Sequence, residues 1–414
     1  METKLYLKKD EFDQKPSTTM HVDLNSCFAS IEQQANPKLR GVPTIVAAYP
    51  TDGGCILAAS VEAKKVGIKG GMRVKEARSI YRDVKVLTPD PSKYRYVHQQ
   101  MMGVFETYTP NVEPKSIDEA VLIFDSGNLF DVGREIKRRI KSEIGEWLTV
   151  NVGIGPNRFL AKTAASIKKP DGLEEINFRN AEEQLNKLKL TDLCGINQAL
   201  KLRLNLVGIF TPVEFLGADL PTLRSAFKSV NARHWYLRLR GYEVDDWRSR
   251  RRSIGHSYAL PHTYSREEEL SKILYRLCEK VGRRLRNNGF EASGINLNIT
   301  YKDWVRFQQS RKLSQPIFSS SDIYLQSMKI LGNIKNLKQV RNLAVSVFNL
   351  SKSIYQQQDL FENQRKKASL TQALDEINNK YGEFTVTLAP LIELKGKILD
   401  RIAFGGIRNL ESFT

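Results

Sequence analysis

The stretch KSIDEAVLIF, Lys115 to Phe124, sets two adjacent carboxylates, Asp118 and Glu119, at the head of an apolar run that reads as a buried strand. Carboxylates at the edge of a buried strand must stay solvated, be neutralised or bind a cation. A third carboxylate, Asp23, ends another short strand-like stretch, TMHVDLN. Gathered at one place, the three would repel one another unless a cation sat among them. Oxygen-only ligation with few protein ligands suits Mg²⁺, which keeps waters and recruits substrate phosphates, and such a site favours two-metal phosphoryl transfer. Successive strand residues face opposite sides, so Asp118 and Glu119 can serve one site only if the backbone bends there. Taken alone, an Asp-Glu pair is more often a surface or salt-bridged feature. A site requires a fold that brings Asp23 to it.

The flanking elements supply one. Thr19 to Asn25 predicts a strand, followed directly by the helix SCFASIEQQAN. Helical periodicity returns over Lys93 to Thr109, with apolar residues near Tyr96, Val97, Met101, Val104 and Phe105. Strands follow at Asn111 to Ser116 and Ala120 to Phe124, then the amphipathic helix VGREIKRRIKSEIGEWL, a strand at Thr149 to Gly155 and a helix opening at Pro156-Asn157. With the segment after Cys27 treated as an insertion, this is the ferredoxin-like βαββαβ order, in which the first strand neighbours the central hairpin. Asp23 can then face Asp118 and Glu119.

From about Asn177 to Glu243 the chain reads as short-looped helices. LTDLCGINQALKLRLNLVGIFTPVEFL resembles a helix-hairpin-helix whose turn, Leu193 to Asn197, would offer backbone N–H groups to a phosphate. Gly195 holds the first glycine place; Asn197 stands where a second glycine is usual, and Asn tolerates the left-handed conformation. An ordinary αα-hairpin is the alternative. WRSRRRSIGHS, with Arg248, Arg250, Arg251 and Arg252, marks a domain boundary and a candidate phosphate contact, although charge runs are commonly just solvated. Beyond it, strands and helices alternate in a basic α+β segment, and the tail after Lys352 is polar and then helical.

The chain has 414 residues and a formal charge of +18, from 64 Lys and Arg against 46 Asp and Glu. That excess points to a polyanionic partner, nucleic acid or an anionic membrane surface. No apolar run is long enough to span a membrane, and the first residues lack a secretory h-region. Four scattered cysteines, without a CxxC pair, argue against a zinc site or a disulfide framework and fit a reducing cytosol.

HVDLNSCFASIEQQANPKLRGVP, CILAASVEAKKVGIKGGM, SIDEA and GIGPNRFLAKTAASIKKPDG, in this order and spacing, resemble the signature segments of the Y-family (DinB/UmuC-like) translesion DNA polymerases, over about Met20 to Leu350. The resemblance implies an α+β multidomain chain: a βαββαβ palm at 18–28 and 89–176, fingers at 29–88, and a helix-hairpin-helix thumb at 177–245. A basic linker at 246–253, an α+β little finger at 254–352 and a tail at 353–414 would follow. It implies that Asp23, Asp118, Glu119 and the Leu24 carbonyl hold two Mg²⁺ ions, and that Lys169 reaches the triphosphate of an incoming deoxynucleotide. Phe28 falls at the steric gate that excludes a 2′-OH; it could equally be core, or both. Val61 and Lys64 stand where the family commonly has a triphosphate-gripping Tyr and Arg, and Arg to Lys loses the bidentate fork. Asn25 and the missing Tyr look UmuC-like, whereas the thumb and KKPDG look like the DinB branch. Low fidelity and damage tolerance are expected from a short fingers segment rich in small residues, such as Ala58, Ala59 and Gly70.

Primer-template DNA would be held by its phosphates through Gly195, Asn197 and the arginines Arg248 to Arg252. In the tail, Gln357, Leu360 and Phe361 of QQDLF resemble the peptide that docks bacterial polymerases on the sliding clamp. A cytoplasmic monomer without membrane contact is the remaining expectation. Two other classes make different predictions. A catalytically inactive, DNA-binding adaptor of the same family predicts lost carboxylates, and all three are present. A nucleotidyl cyclase predicts neither the helix-hairpin-helix nor the basic C-terminal segment.

Overall fold

The computed structural model describes residues 12–246, 252–352, 362–382 and 385–386. Arg248, Arg250 and Arg251 of the basic connector, and Gln357, Leu360 and Phe361 of the tail peptide, lie outside these residues; Arg252 is described and exposed. The chain divides into two compact units, and the division falls inside the basic connector.

The first unit is built on a five-stranded sheet. Its strands are β1 (Thr19–Leu24), β5 (Val112–Pro114), β6 (Glu119–Ile123), β7 (Val150–Gly155) and β8 (Leu173–Glu175), in the order β5-β6-β1-β7-β8. The first four give the expected ferredoxin-like arrangement, with β1 antiparallel to both β6 and β7. The edge strand β8, parallel to β7, was not expected: three residues carry no periodicity to read.

The two faces of β1 explain the layers. Met20, Val22 and Leu24 are buried on one face. There they share a core with α1 (Cys27–Ala35), α4 (Pro91–Glu106) and α5 (Leu129–Arg139). His21 and Asp23 occupy the other face, over which α6 (Arg158–Ile167) lies. Gly153 permits that approach: a Cβ there would collide with the Ala161 carbonyl oxygen and the Ala165 nitrogen. Asn157 caps α6 by accepting from Leu160 N at 2.7 Å, and its Nδ2 donates to the Arg238 and Tyr242 carbonyls.

Between α1 and α4 lies a small α/β segment of β2 (Thr44–Ala47), β3 (Ile56–Ala59), α2 (Val61–Lys65), α3 (Val74–Ile80) and β4 (Lys85–Leu87), ordered β3-β2-β4 with its own apolar core. After β8 come five short helices: α7 (Ala181–Asn186), α8 (Gln198–Asn205), α9 (Pro212–Gly217), α10 (Leu220–Phe227) and α11 (Asn231–Leu239). They pack around Phe215, Phe227 and Trp235 and bury the outer side of α6 through Phe159 and Leu160.

The second unit is a four-stranded antiparallel sheet. It comprises β9 (Ser253–Tyr264), β10 (Phe290–Tyr301), β11 (Arg306–Ile317) and β12 (Val340–Lys352), ordered β11-β10-β12-β9. Period-2 patterning drives it: Ile295, Leu297 and Ile299 of β10 and Leu343, Val345 and Val347 of β12 point to one face. That face is covered by α12 (Glu267–Asn287) and α13 (Ser320–Leu331), whose Tyr275 and Tyr324 rings meet edge to face at 4.5 Å. A last helix, α14 (Glu362–Tyr381), is tied to α12 by a bidentate Arg286–Asp375 pair at 2.6 and 2.7 Å. Among the described residues, no helix is long and apolar enough to cross a membrane.

Candidate active site

Asp23 sits at the end of β1, its Cα directly paired with Glu119 of β6 and with Asn151 of β7. Asp118 lies outside β6, in the turn of the β5–β6 hairpin. The backbone bends there, because Lys115 N and Ser116 N both donate to the Glu119 carbonyl. The ladder to β1 nevertheless continues, since Leu24 N donates to the Asp118 carbonyl at 2.8 Å. From inside, His98 Nδ1 meets the Ile117 carbonyl at 2.9 Å and props the turn against α4.

A cleft of about 360 Å³ opens at this point. The side chains that carry charge in its wall are Asp23, Asp118, Lys64 and Lys169; Leu24, Phe28, Ala58, Ala59 and Gly70 contribute to the rest. Glu119 does not line it. Its carboxylate is turned under α6, where Lys162 Nζ donates at 2.7 and 2.9 Å and His21 Nε2 lies at 3.1 Å. Burial would push Glu119 up, but these partners outweigh it and hold the group at about 2. Burial also pushes Asp118 up. The Ser116 hydroxyl, which donates to it, pulls the other way, and the charges of Asp23 and Glu119 add to the rise.

The cations are arranged to answer these charges. Lys169 Nζ donates to Asp23 Oδ2. Lys64, on α2, donates to the Ser26 hydroxyl at 2.8 Å. Desolvation in the cleft and the neighbouring Lys169 push the Lys64 ammonium down, against the pull of Asp23 and Asp118. Ser26 takes a left-handed conformation, φ 52°, at the turn from β1 into α1, which places its hydroxyl toward Lys64 and starts the helix that carries Phe28. Phe28 is 4% exposed and stacks on Tyr94 of α4, centroids 4.3 Å apart. It is therefore core and cleft wall together. Tyr94 is anchored through its hydroxyl, which donates to Glu32 at 2.9 Å. Below the site, Asn25 Nδ2 donates to the Thr149 carbonyl at 3.1 Å, and Asn151 Oδ1 accepts from Gly172 N, which ties β1, β7 and the Lys169 loop together.

The donor chemistry fits a divalent cation of the hard kind: the anionic groups on the cleft are carboxylates, the Cys27 thiol that also lines it is pushed up by burial and stays protonated, and Asp118 is raised first by burial and then by the charges of Asp23 and Glu119. Among the described residues, no three acidic, His or Cys side chains are already gathered closely enough to hold a metal. Lys162 and Lys169 are the groups that neutralise Glu119 and Asp23 here.

In the helical segment, Gly195 has φ +94° and supplies the left-handed residue of the hairpin turn. Asn197 is extended and caps α8, accepting from Leu200 N at 2.9 Å; the left-handed role expected for it falls to Gly195 alone. The limb before the turn is a single 3-10 turn, Leu190–Asp192, following α7. His21, Lys162 and Ser116 were not singled out from the sequence. His21 could have been, because it lies two residues before Asp23 and so shares its face of β1.

The impB/mucB/samB family model matches residues 22–166, and the C-terminal domain model of the same family matches residues 251–360. The chain is 33% identical to the DNA polymerase IV of Pelotomaculum thermopropionicum over 92% of its own length and 96% of that protein's. It is 34% identical to the DNA polymerase IV of Moorella thermoacetica, covering 87% and 92%, and 30% identical to DNA polymerase IV 2 of Bacillus subtilis, covering 92% and 96%. Among solved structures, a Y-family DNA polymerase chimera superposes with a TM-score of 0.71 at 25% identity, over 80% of this chain and 98% of that one. These relatives answer the question of branch, which Asn25 and the missing fingers Tyr had left open. With the palm sheet, the helical thumb and the second α+β unit as described, the chain belongs to the Y-family of DNA polymerases, on its DinB-like side, and is a DNA-directed DNA polymerase.

Proposed function

We propose that the chain extends a primer 3′-OH by two-metal phosphoryl transfer and serves low-fidelity translesion synthesis. One observation carries this reading: a single cleft wall holds Asp23 and Asp118 beside Lys64, Lys169 and Phe28. Asp23, Asp118 and Glu119, with the Leu24 carbonyl, are the residues that would hold two Mg²⁺ ions. Such ions lower the pKa of the 3′-OH and neutralise the triphosphate and the leaving pyrophosphate.

The protein's own side chains bind and orient. Lys169 and Lys64 take triphosphate oxygens, and Lys64 does so as a point charge, without the fork of an Arg. The Phe28 ring, braced by Tyr94, fills the space a 2′-OH would need. Ala58, Ala59 and Gly70 leave a roof with few atoms to test base-pair shape, which lowers discrimination. Gly195, Asn197 and the arginines Arg248, Arg250, Arg251 and Arg252 contact phosphates, so DNA affinity falls with salt and ignores sequence. Gln357, Leu360 and Phe361 form the sliding-clamp peptide, and the protein acts as a cytoplasmic monomer tethered through it.

The test is primer extension with Mg²⁺ on undamaged and abasic templates, with and without clamp. Extension past the abasic site is expected, with clamp stimulation lost in Leu360→Ala/Phe361→Ala. Extension that stops at every abasic site would remove the translesion reading, and clamp stimulation that survives the double substitution would remove the peptide assignment.

A further inference from the structure

The hairpin that joins β10 to β11 carries an exposed tryptophan. Tyr301 N donates to the Val305 carbonyl at 2.9 Å, Trp304 N donates to the Tyr301 carbonyl at 3.0 Å, and Trp304 closes the turn with φ +66°. Glycine or asparagine adopts that conformation cheaply, whereas a bulky side chain is strained in it. Nothing in the apolar core repays the cost, because Trp304 is 64% exposed and its neighbour Val305 is 53% exposed. The ring is instead engaged from one side only. The Arg341 guanidinium lies 3.6 Å from the indole centroid, and the exposure leaves the opposite face open.

The charge around this ledge is predominantly positive. Lys302 and Arg306 flank the turn in sequence, Arg341 lies over the ring, and the acid within the turn, Asp303, is answered by Lys338 at 3.4 Å. An open aromatic face rimmed by cations is what an unpaired base with its phosphate fits: stacking is indifferent to sequence, and the cations follow the backbone. A protein partner would more commonly demand a pocket and an apolar surround.

We propose that Trp304, backed by Arg341, is a stacking ledge for an unpaired base of single-stranded DNA, and that it raises affinity for substrates with a single-stranded overhang over fully duplex DNA.

The experiment is fluorescence anisotropy of the full chain on a primer–template with a 5′ overhang and on a blunt duplex of equal length. Trp304→Ala should weaken overhang binding about 5-fold or more and leave duplex binding within about 2-fold. Trp304→Phe should retain most of the affinity. Oligo-dT should quench the parent's tryptophan emission more than that of Trp304→Phe. Trp304→Gly, which suits the left-handed turn, serves as the folding control: it should melt no lower than the parent and still lose overhang affinity. Equal losses on the two DNAs, no loss on either, or full overhang affinity in Trp304→Gly would each overturn the proposal; the second result would mean that the ledge serves something other than a base.

Discussion

Lys162 Nζ lies 2.7 Å from Oε2 of Glu119 and so occupies the charge-neutralising place on a carboxylate that the proposed mechanism would give to metal. The pair is long-range in sequence: Lys162 comes from α6, Glu119 from the first position of β6, and Gly153 lets the helix come close enough for them to meet. Asp23, the residue paired with Glu119 in the sheet, holds Lys169 in the same way. Both ammonium groups sit on flexible stems, so both can yield to a stronger cation.

Replacing Lys162 with Gln leaves Glu119 with His21 alone. Because Glu119 is held at about 2 in the folded protein, its stabilising contribution is complete above the usual carboxylate range and is lost as pH falls through about 2. Lys162→Gln should cost about 1–2 kcal/mol near neutral pH, the pair being partly solvated. The gap to the parent should close as pH falls below about 4. Urea denaturation across this range measures it; a gap that does not change with pH would mean that the pair does not set the Glu119 charge.

Asp118 behaves oppositely. Its carboxyl is raised in the folded state, so the ionised form works against folding once pH exceeds the unfolded value near 3.9. Asp118→Asn should therefore melt higher than the parent at neutral pH, and the advantage should shrink as the medium is acidified. Primer extension should meanwhile fall at least about 100-fold, and DNA binding should hold. A variant that polymerises normally would remove Asp118 from the site.

Phe28 is core and, on the proposed reading, a steric gate as well, and substitution can separate the two. Phe28→Ala removes the Tyr94 stack and should cost about 3–5 kcal/mol of stability. Phe28→Leu keeps most of the volume but not the flat ring; it should fold well and still raise the ratio of ribonucleotide to deoxynucleotide incorporation. Single-nucleotide insertion kinetics with matched ribo- and deoxynucleotides decide. An unchanged ratio in both variants would leave Phe28 a core residue only.

Lys169→Ala should raise KM for deoxynucleotides by about 10-fold or more, the usual worth of a hydrogen bond to a charged group. It also removes the charge that pushes Lys64 down, so the Lys64 ammonium should titrate higher. Steady-state insertion against nucleotide concentration, together with NMR titration of labelled lysines, checks both parts. Loss of DNA affinity in place of nucleotide affinity would assign Lys169 to the DNA backbone.

Much of the site was legible in the linear sequence because it is built from local patterns. Asp23 at a strand end and Asp118-Glu119 ahead of an apolar run follow from period-2 burial, and the order of strands and helices foretells that β1 lies beside β6. A backbone bend at Asp118-Glu119 was required if both were to serve one site; the bend is present, but it sets Asp118 on the cleft and leaves Glu119 turned under α6. Phe28 is legible as an aromatic on the buried stripe of α1.

What only the tertiary structure decided is where each charge points and what answers it. Glu119 turns under α6 because a helix crosses that face of the sheet, and nothing within ten residues of Glu119 announces the Lys162 that meets it. Asn197 became a helix cap and not a left-handed turn residue, since Gly195 took up that conformation two residues earlier. Three-residue strands such as β8 form because a neighbouring strand offers its backbone, not because their own sequence demands it. Trp304 is a further case: only the pairing of β10 with β11 sets it in a left-handed turn with its side chain largely exposed. Periodicity records which side of an element is apolar; the partner that covers or leaves bare the other side is chosen by residues far away in the chain.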